Sequence, residues 1–171
     1  MIVLMAGLPG TGKTTLAREL SARTSGRVLG KDEIRHAIFS GHEIEFSSQQ
    51  DDFCVRIMLE TAEYLLRQEP GRIIFLDGRP FSRRYQIENV LAAAGSLHQP
   101  WRILECVCPE ATARRRLEEQ AVAGEHPAGN RDFQLYLDVR SRFEAIVQRK
   151  TLIHTGEPLE ECVAQALGAL R

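Results

Sequence analysis

The chain has 171 residues, with 22 Lys+Arg against 23 Asp+Glu and a formal net charge of −1. Apolar residues make up 43% and charged residues 26%, which suits about one domain of roughly 150 residues with a core of its own. These values exclude collagen-like, disordered and generally basic nucleic-acid-coating chains, though not a local basic patch.

The sequence alternates strand and helix patterns, with no internal repeat, low-complexity tract or linker. Residues 2–6 predict a short buried strand, 13–23 a helix, and 26–30 a weak strand before a short helix at 32–40. A long helix is predicted at about 49–69, where Cys54, Ile57, Met58, Thr61, Ala62, Leu65 and Leu66 keep i, i+3, i+4 spacing until Pro70-Gly71 stops it. Residues 72–77 read as a strand buried on both faces. A helix at about 82–94, a strand at 101–107 and a helix starting at Pro109 and running to about 123 follow. Gly124 to Asn130 reads as a loop, then a helix at about 131–149 carries Phe133, Tyr136, Val139, Phe143, Ile146 and Val147 on one face. Strand 150–154 and helix 157–170 close the pattern. Five short strands separated by helices predict an α/β fold: a parallel sheet with helices on both faces. Ligands of such sheets sit beyond the carboxyl ends of the strands, so the residues after 6, 30, 77, 107 and 154 are the candidates.

Gly7-Leu8-Pro9-Gly10-Thr11-Gly12-Lys13-Thr14, followed by Thr15, is G-x-x-x-x-G-K-S/T in its required setting of strand, loop and helix. Its backbone N–H groups can curl around an anion at a helix N-terminus. Lys13 is then expected at the β- and γ-phosphates, and Thr14 on Mg²⁺. The segment points to a nucleoside triphosphate and magnesium without saying what is done with them.

No apolar run reaches the ~18 residues of a membrane span. Met1–Ala6 has no basic leader and runs directly into the glycine loop, which argues against a signal peptide and for a cytoplasmic protein. Cys54, Cys106, Cys108 and Cys162 show no C-x-x-C spacing and read as reduced core thiols.

This loop, Lys31-Asp32-Glu33-Ile34-Arg35, Leu76-Asp77-Gly78, and Cys108-Pro109-Glu110 through Leu117 follow the order seen in small P-loop kinases. Over nearly its whole length the chain resembles the AAA-type ATP-binding group that contains polynucleotide 5′-kinases, chloramphenicol phosphotransferase and zeta-toxin-like proteins. The resemblance implies a three-layer P-loop kinase fold, a single domain over 1–171, and a small helical lid at about 109–131. It also implies ATP-dependent phosphoryl transfer and leaves the acceptor open.

Asp32 follows the second strand, where a carboxylate can take the proton of an attacking hydroxyl. In the resembled kinases the Asp of D-x-x-R has this role, and the Arg, here Arg35, contacts the acceptor or its phosphate. The alternative is an acidic helix start with an Asp32–Arg35 i, i+3 pair. Asp77 ends an apolar strand as a magnesium-holding acid does, or else caps the turn at Gly78. Arg79 can touch an acceptor, while Arg83 and Arg84 can equally be solvated surface. The match to nucleoside monophosphate kinases at Leu76-Asp77-Gly78 is imperfect, because Arg79 stands where those have an aromatic before the Pro-Arg.

In helix 109–123, Arg114 can pair with Glu118 and Arg115 with Glu119. Arg116 has no local acid and is the candidate for the transferring phosphate. The family often places a second arginine where this chain has Gln120, and Arg131 is the candidate substitute. The turn Thr155-Gly156-Glu157-Pro158 lies beside the adenine in related kinases.

Between Arg35 and Arg56 there is no Lys or Arg, and Glu43, Glu45, Asp51 and Asp52 stand there with Phe39 and Phe46. As a wall of the acceptor site, this stretch suits a neutral or cationic small molecule better than a polyanion. Three readings follow: a kinase acting on a hydroxyl of a small molecule, a 5′-hydroxyl polynucleotide or RNA kinase, and an ATP-dependent switch without an acceptor.

Overall fold

The first strand, β1 (Ile2–Ala6), is fully buried, and its alternating side chains enter two different cores. Ile2, Leu4 and Ala6 join one cluster, and Val3 and Met5 the other. Such a strand can only be central, covered by helices on both faces. In the computed structural model, which describes residues 1–123 and 132–171, β1 lies in the middle of one five-stranded sheet of order β2-β3-β1-β4-β5. The other strands are β2 (Arg27–Gly30), β3 (Ile74–Asp77), β4 (Trp101–Val107) and β5 (Thr151–His154), and every pairing is parallel.

The described residues form seven α-helices. Two of them, α1 (Lys13–Thr24) and α7 (Leu159–Ala169), cover one face with Leu16, Leu20, Val163 and Ala166. The opposite face is covered by α3 (Ser48–Gln68) and α4 (Arg84–Ser96) with Val55, Met58, Ile87 and Val90. Each large side chain so buried is worth roughly 1.5–3 kcal/mol. The buried stripe of α3, which includes Cys54, Met58, Ala62 and Leu66, keeps the spacing read from the sequence. Ser47 caps that helix by accepting from the Gln50 N–H, and Pro70-Gly71 follows its end.

The remaining helices, α2 (Lys31–Ile38), α5 (Glu110–Ala123) and α6 (Phe133–Ser141), gather at the carboxyl edge of the sheet or beside it. From β1 the chain winds first toward β2 and β3, and later to the other side, toward β4 and β5. The loop after β1 therefore sits at the topological switch point, where a crevice opens. Register places Gly30 beside Asp77, so the start of α2 meets the end of β3.

One predicted element differs. The helix expected over 131–149 ends at Ser141, and residues 143–147 are irregular. The Glu144 N–H donates to Ser82 O at 2.9 Å, and its carboxylate accepts from the Arg84 N–H at 2.7 Å. Those bonds, with Ile146 and Phe143 packed into the core under α4, outweigh continuing the helix. The loop expected at Gly124–Asn130 lies outside the described residues. No described helix is long and apolar enough to cross a membrane.

Candidate functional site

The glycine loop takes the backbone form its sequence predicts. Gly7, Gly10 and Gly12 all have positive φ (128°, 76° and 78°), which only glycine adopts at low cost. Gly10 also lies under α5: a Cβ there would stand 2.8 Å from Ala113 O and 2.9 Å from Leu117 Cγ. The loop is tied internally by Thr11 Oγ1 and Lys13 Nζ, which both donate to Leu8 O, at 2.8 and 2.6 Å. From the turn after β5, Thr155 Oγ1 donates to Thr11 O at 2.8 Å. Behind the loop, burial pushes the Cys106 thiol up to about 12, so it is no nucleophile near neutral pH. All four cysteines are free.

Two cavities flank the loop. The first, of about 460 Å³, is lined by Gly10, Gly12, Thr14, Thr15, Arg116 and Thr155 among others. The second, of about 280 Å³, is lined by Pro9, Lys31, Arg35, Phe46 and Arg79 among others. Five residues line both: Lys13, Thr14, Asp32, Asp77 and Gly78. A phosphate chain held in the first cavity can thus present its end to a molecule held in the second.

At this junction Asp77 is 4% exposed and its Oδ1 has no hydrogen-bond partner among the described residues. A carboxylate oxygen buried and bare is costly unless a cation faces it, so Asp77 with the Thr14 hydroxyl fits a hard divalent ion. Asp32 is paired twice: Arg35 Nη1 donates to Oδ1 at 2.7 Å, and Lys31 Nζ lies 3.3 Å away. The i, i+3 pair and the place at the junction hold together; neither excludes the other.

Lys31 and Arg35 also share Asp51 of α3, Lys31 at 2.6 Å and Arg35 in a still closer contact. Arg79 pairs with Asp52 at 2.6 Å, and its Nη2 lies 3.3 Å from Tyr85 Oη. The guanidinium of Arg35 stands 5.3 Å over the Phe46 ring. The expected acidic wall is therefore not one. Asp51 and Asp52 are engaged by buried cations, Glu43 closes the turn at Ser40 (N–H to Oε2, 2.9 Å), and Glu43 and Glu45 do not line the cavity.

On α5 the predicted pairs form, Arg114–Glu118 at 2.8 Å and Arg115–Glu119 at 3.8 Å. Arg116 turns inward instead. Its Nη2 donates to Thr155 O at 2.7 Å, while its Nη1 is buried without a partner among the described residues. Ala113 and Leu117 of this helix are buried against Tyr136, with Leu8 alongside. Gly156 and Pro158 line neither cavity, whereas Thr155 and Glu157 line the first. Arg83 pairs with Glu144 at 3.0 Å and lines the second cavity. Arg131 lies outside the described residues.

Sequence reasoning gave no site role to Lys31, Tyr85 and Arg142, which all line the second cavity. Lys31 adjoins Asp32 and was open to discovery on that ground. The partnership of Asp51 with Arg35 spans 16 residues and two helices, and no local spacing marks it.

A family model described as AAA domain matches residues 2–145. No curated protein matches the sequence. Among solved structures, a protein of Chloroflexus aurantiacus provisionally described as a kinase aligns at 19% identity and TM-score 0.76, covering 99% of this chain and 98% of that one. The Mycobacterium tuberculosis APS kinase CysC, in complex with AMPPNP and APS, aligns at 17% identity and TM-score 0.73, covering 99% and 96%. Chaetomium thermophilum Kti12, in complex with ADP-AlF3, aligns at 15% identity and TM-score 0.72, covering the whole of both chains. At these identities the likeness is one of fold.

Proposed function

The chain belongs to the AAA-domain family over residues 2–145, and from that premise we propose that it is an ATP- and Mg²⁺-dependent kinase phosphorylating a hydroxyl of a small molecule. The observation that carries this reading is the pair of cavities meeting at Lys13, Thr14, Asp32 and Asp77. A switch that only hydrolyses ATP has no use for a second cavity opening onto the same carboxylates. The nucleotides bound by APS kinase and by Kti12 are consistent with ATP in the first cavity.

In this reading the loop Gly7–Thr15 and Lys13 hold the phosphates, and Thr155 and Glu157 of the turn after β5 border the base. Thr14 and Asp77 hold magnesium, which when bound draws charge from the phosphate oxygens. Asp32 orients the acceptor hydroxyl and receives its proton. The acceptor oxygen forms a bond to the γ-phosphorus, the bond from that phosphorus to the β–γ bridging oxygen breaks, and ADP leaves. The bare Nη1 of Arg116 supplies positive charge to the transferring group. Arg35 and Arg79 hold the acceptor, and α5 covers the loop over Gly10.

The test is ADP release with ATP and Mg²⁺, wild type beside Asp32→Ala, across sugars, sugar acids, nucleosides, aminoalcohols and 5′-hydroxyl oligonucleotides. An acceptor-dependent rate that falls ~10²–10⁴-fold in the variant, with ATP affinity kept, is the expected result. ATP turnover that no acceptor raises and Asp32→Ala leaves intact would replace the kinase with a switch.

A further inference from the structure

The buried cations of the second cavity are matched. Lys31 and Arg35 share Asp32 and Asp51, and Arg79 pairs with Asp52. The large apolar side chains left open beside them are Phe46 and Tyr85, which line the cavity and are 45% and 41% exposed. Pro9, Pro80, Leu135 and Val139 extend the apolar part of the wall.

Both rings are held in place before anything binds. The Arg35 guanidinium stands 5.3 Å from the Phe46 ring centroid, and that of Arg79 5.9 Å from the Tyr85 ring centroid. These guanidiniums are 1% and 3% exposed, so each ring rests on a fixed cation. Phe46 belongs to no helix or strand, yet its loop is tied to α3 by the buried Gln50. Gln50 Nε2 donates to Glu43 O, and its Oε1 accepts from the Glu45 N–H, both at 2.9 Å. A ring fixed in this way has little freedom left to lose when a ligand meets it.

We propose that the acceptor is a neutral alcohol carrying a planar ring, and that Phe46 is the residue that selects it by stacking on that ring. The inference deepens the kinase reading and rests on it for the word acceptor. Its own ground is a cavity whose charges are spent and whose rings are open. Planar rings meet aromatic side chains in offset-stacked or edge-to-face contacts, which no saturated ring or chain can make. A polyol needs a partner for each hydroxyl it brings out of water, and Lys31, Arg35, Arg79 and their carboxylates are occupied with one another. A charged acceptor would have to break a buried pair already made. The volume of about 280 Å³ sits at the small end of ligand sites, near ~300 Å³, and suits one ring on a short hydroxyl-bearing arm that reaches Asp32.

The test uses protein loaded with AMPPNP and Mg²⁺, so that the first cavity is filled. Adenosine and benzyl alcohol are titrated beside ribose and cyclohexylmethanol, their counterparts without a planar ring, following the aromatic NMR signals of Phe46 and Tyr85. Saturable upfield shifts with both planar compounds are expected. Ribose should bind about tenfold more weakly than adenosine, and cyclohexylmethanol about threefold more weakly than benzyl alcohol. Phe46→Leu, which keeps an apolar cover on Arg35, should weaken binding of the planar compounds about tenfold. Phe46→Trp should keep that binding and report it as a change in indole fluorescence. A Phe46 that only covers Arg35 predicts no loss with Leu. Absence of saturable binding by both planar compounds, equal affinity for their counterparts, or planar-ring binding unchanged by Phe46→Leu overturns the inference. With ATP in place of AMPPNP, Asp32-dependent ADP release from ribose and from neither planar compound would likewise overturn it and leave the kinase standing. Phe46-dependent binding of planar rings beside ATP turnover that ignores every alcohol and Asp32 would instead remove the kinase reading.

Discussion

Replacing Asp77 by Asn separates a metal-holding carboxylate from a structural cap, because the two roles predict opposite signs. Asp77 is 4% exposed at the end of β3, and its Oδ1 has no hydrogen-bond partner among the described residues. A buried polar atom left bare costs roughly 1–3 kcal/mol, more when charged. Without metal, Asp77→Asn removes the charge while keeping the shape, and so should stabilise the chain by about 1–2 kcal/mol. For a chain of this size each kcal/mol moves the melting temperature ~2–4 °C, giving a rise of about 2–8 °C. With ATP present, Mg²⁺ should raise the wild-type melting temperature far more than the variant's, since losing a ligand or its support costs about 10–100-fold in metal affinity. The assay is thermal melting with and without ATP and Mg²⁺, with calorimetry for the nucleotide. A variant that melts below wild type in the absence of ligand, and keeps its full response to Mg²⁺, would refute the reasoning.

Other outcomes follow from the same geometry. Arg116→Ala should lower kcat by about 10²–10³-fold through loss of one donor to the transferring group, with melting little changed; unchanged kcat and unchanged KM for ATP would take Arg116 out of the site. Leu117→Ala opens a void over the glycine loop and should cost about 2–3 kcal/mol in urea unfolding while raising KM for ATP, since α5 rests on Gly10 there. Alkaline pH should destabilise the fold. The folded Cys106 thiol keeps its proton up to about 12, the unfolded one releases it near ~8.5, so stability is full below ~8.5 and falls as pH rises toward 12. Cys54 and Cys162 are shifted in the same direction by burial. Cys106→Ala should flatten part of this decline in denaturation curves taken between pH 8 and 11; an unaltered slope would contradict the assignment.

What could be read from the sequence was what a short stretch of chain determines. The glycine loop is contiguous, and its three positive-φ positions coincide with glycines. Asp77 was legible because an apolar strand ends on it, and Arg116 because its neighbours Arg114 and Arg115 have acids at i+4 and it does not. The second cavity was misjudged because its character is set by pairings across long separations. Asp51 and Asp52 counted as free acids in composition, yet the rotation of α3 turns them onto Arg35 and Arg79. The sign of a site depends on the surplus left after such pairing, and composition cannot supply that. Residues 143–149 failed for a related reason. Their apolar spacing suits a helix, but bonds from Glu144 to Ser82 and Arg84 draw the backbone elsewhere.

The common wall of the two cavities bears on inhibitor design. Lys13, Thr14, Asp32 and Asp77 border both spaces, so a ligand in either one lies against the same side chains. One molecule spanning both, an adenosine polyphosphate tethered to a small hydroxyl-bearing fragment, would enter its second cavity at an effective concentration set by the tether. With a tether a few atoms long this is in the millimolar range, so two individually weak fragments would combine into a tight ligand without a new contact. The shortest tether that keeps both affinities would also act as a ruler for the transfer distance, readable from binding alone and before any natural acceptor is in hand.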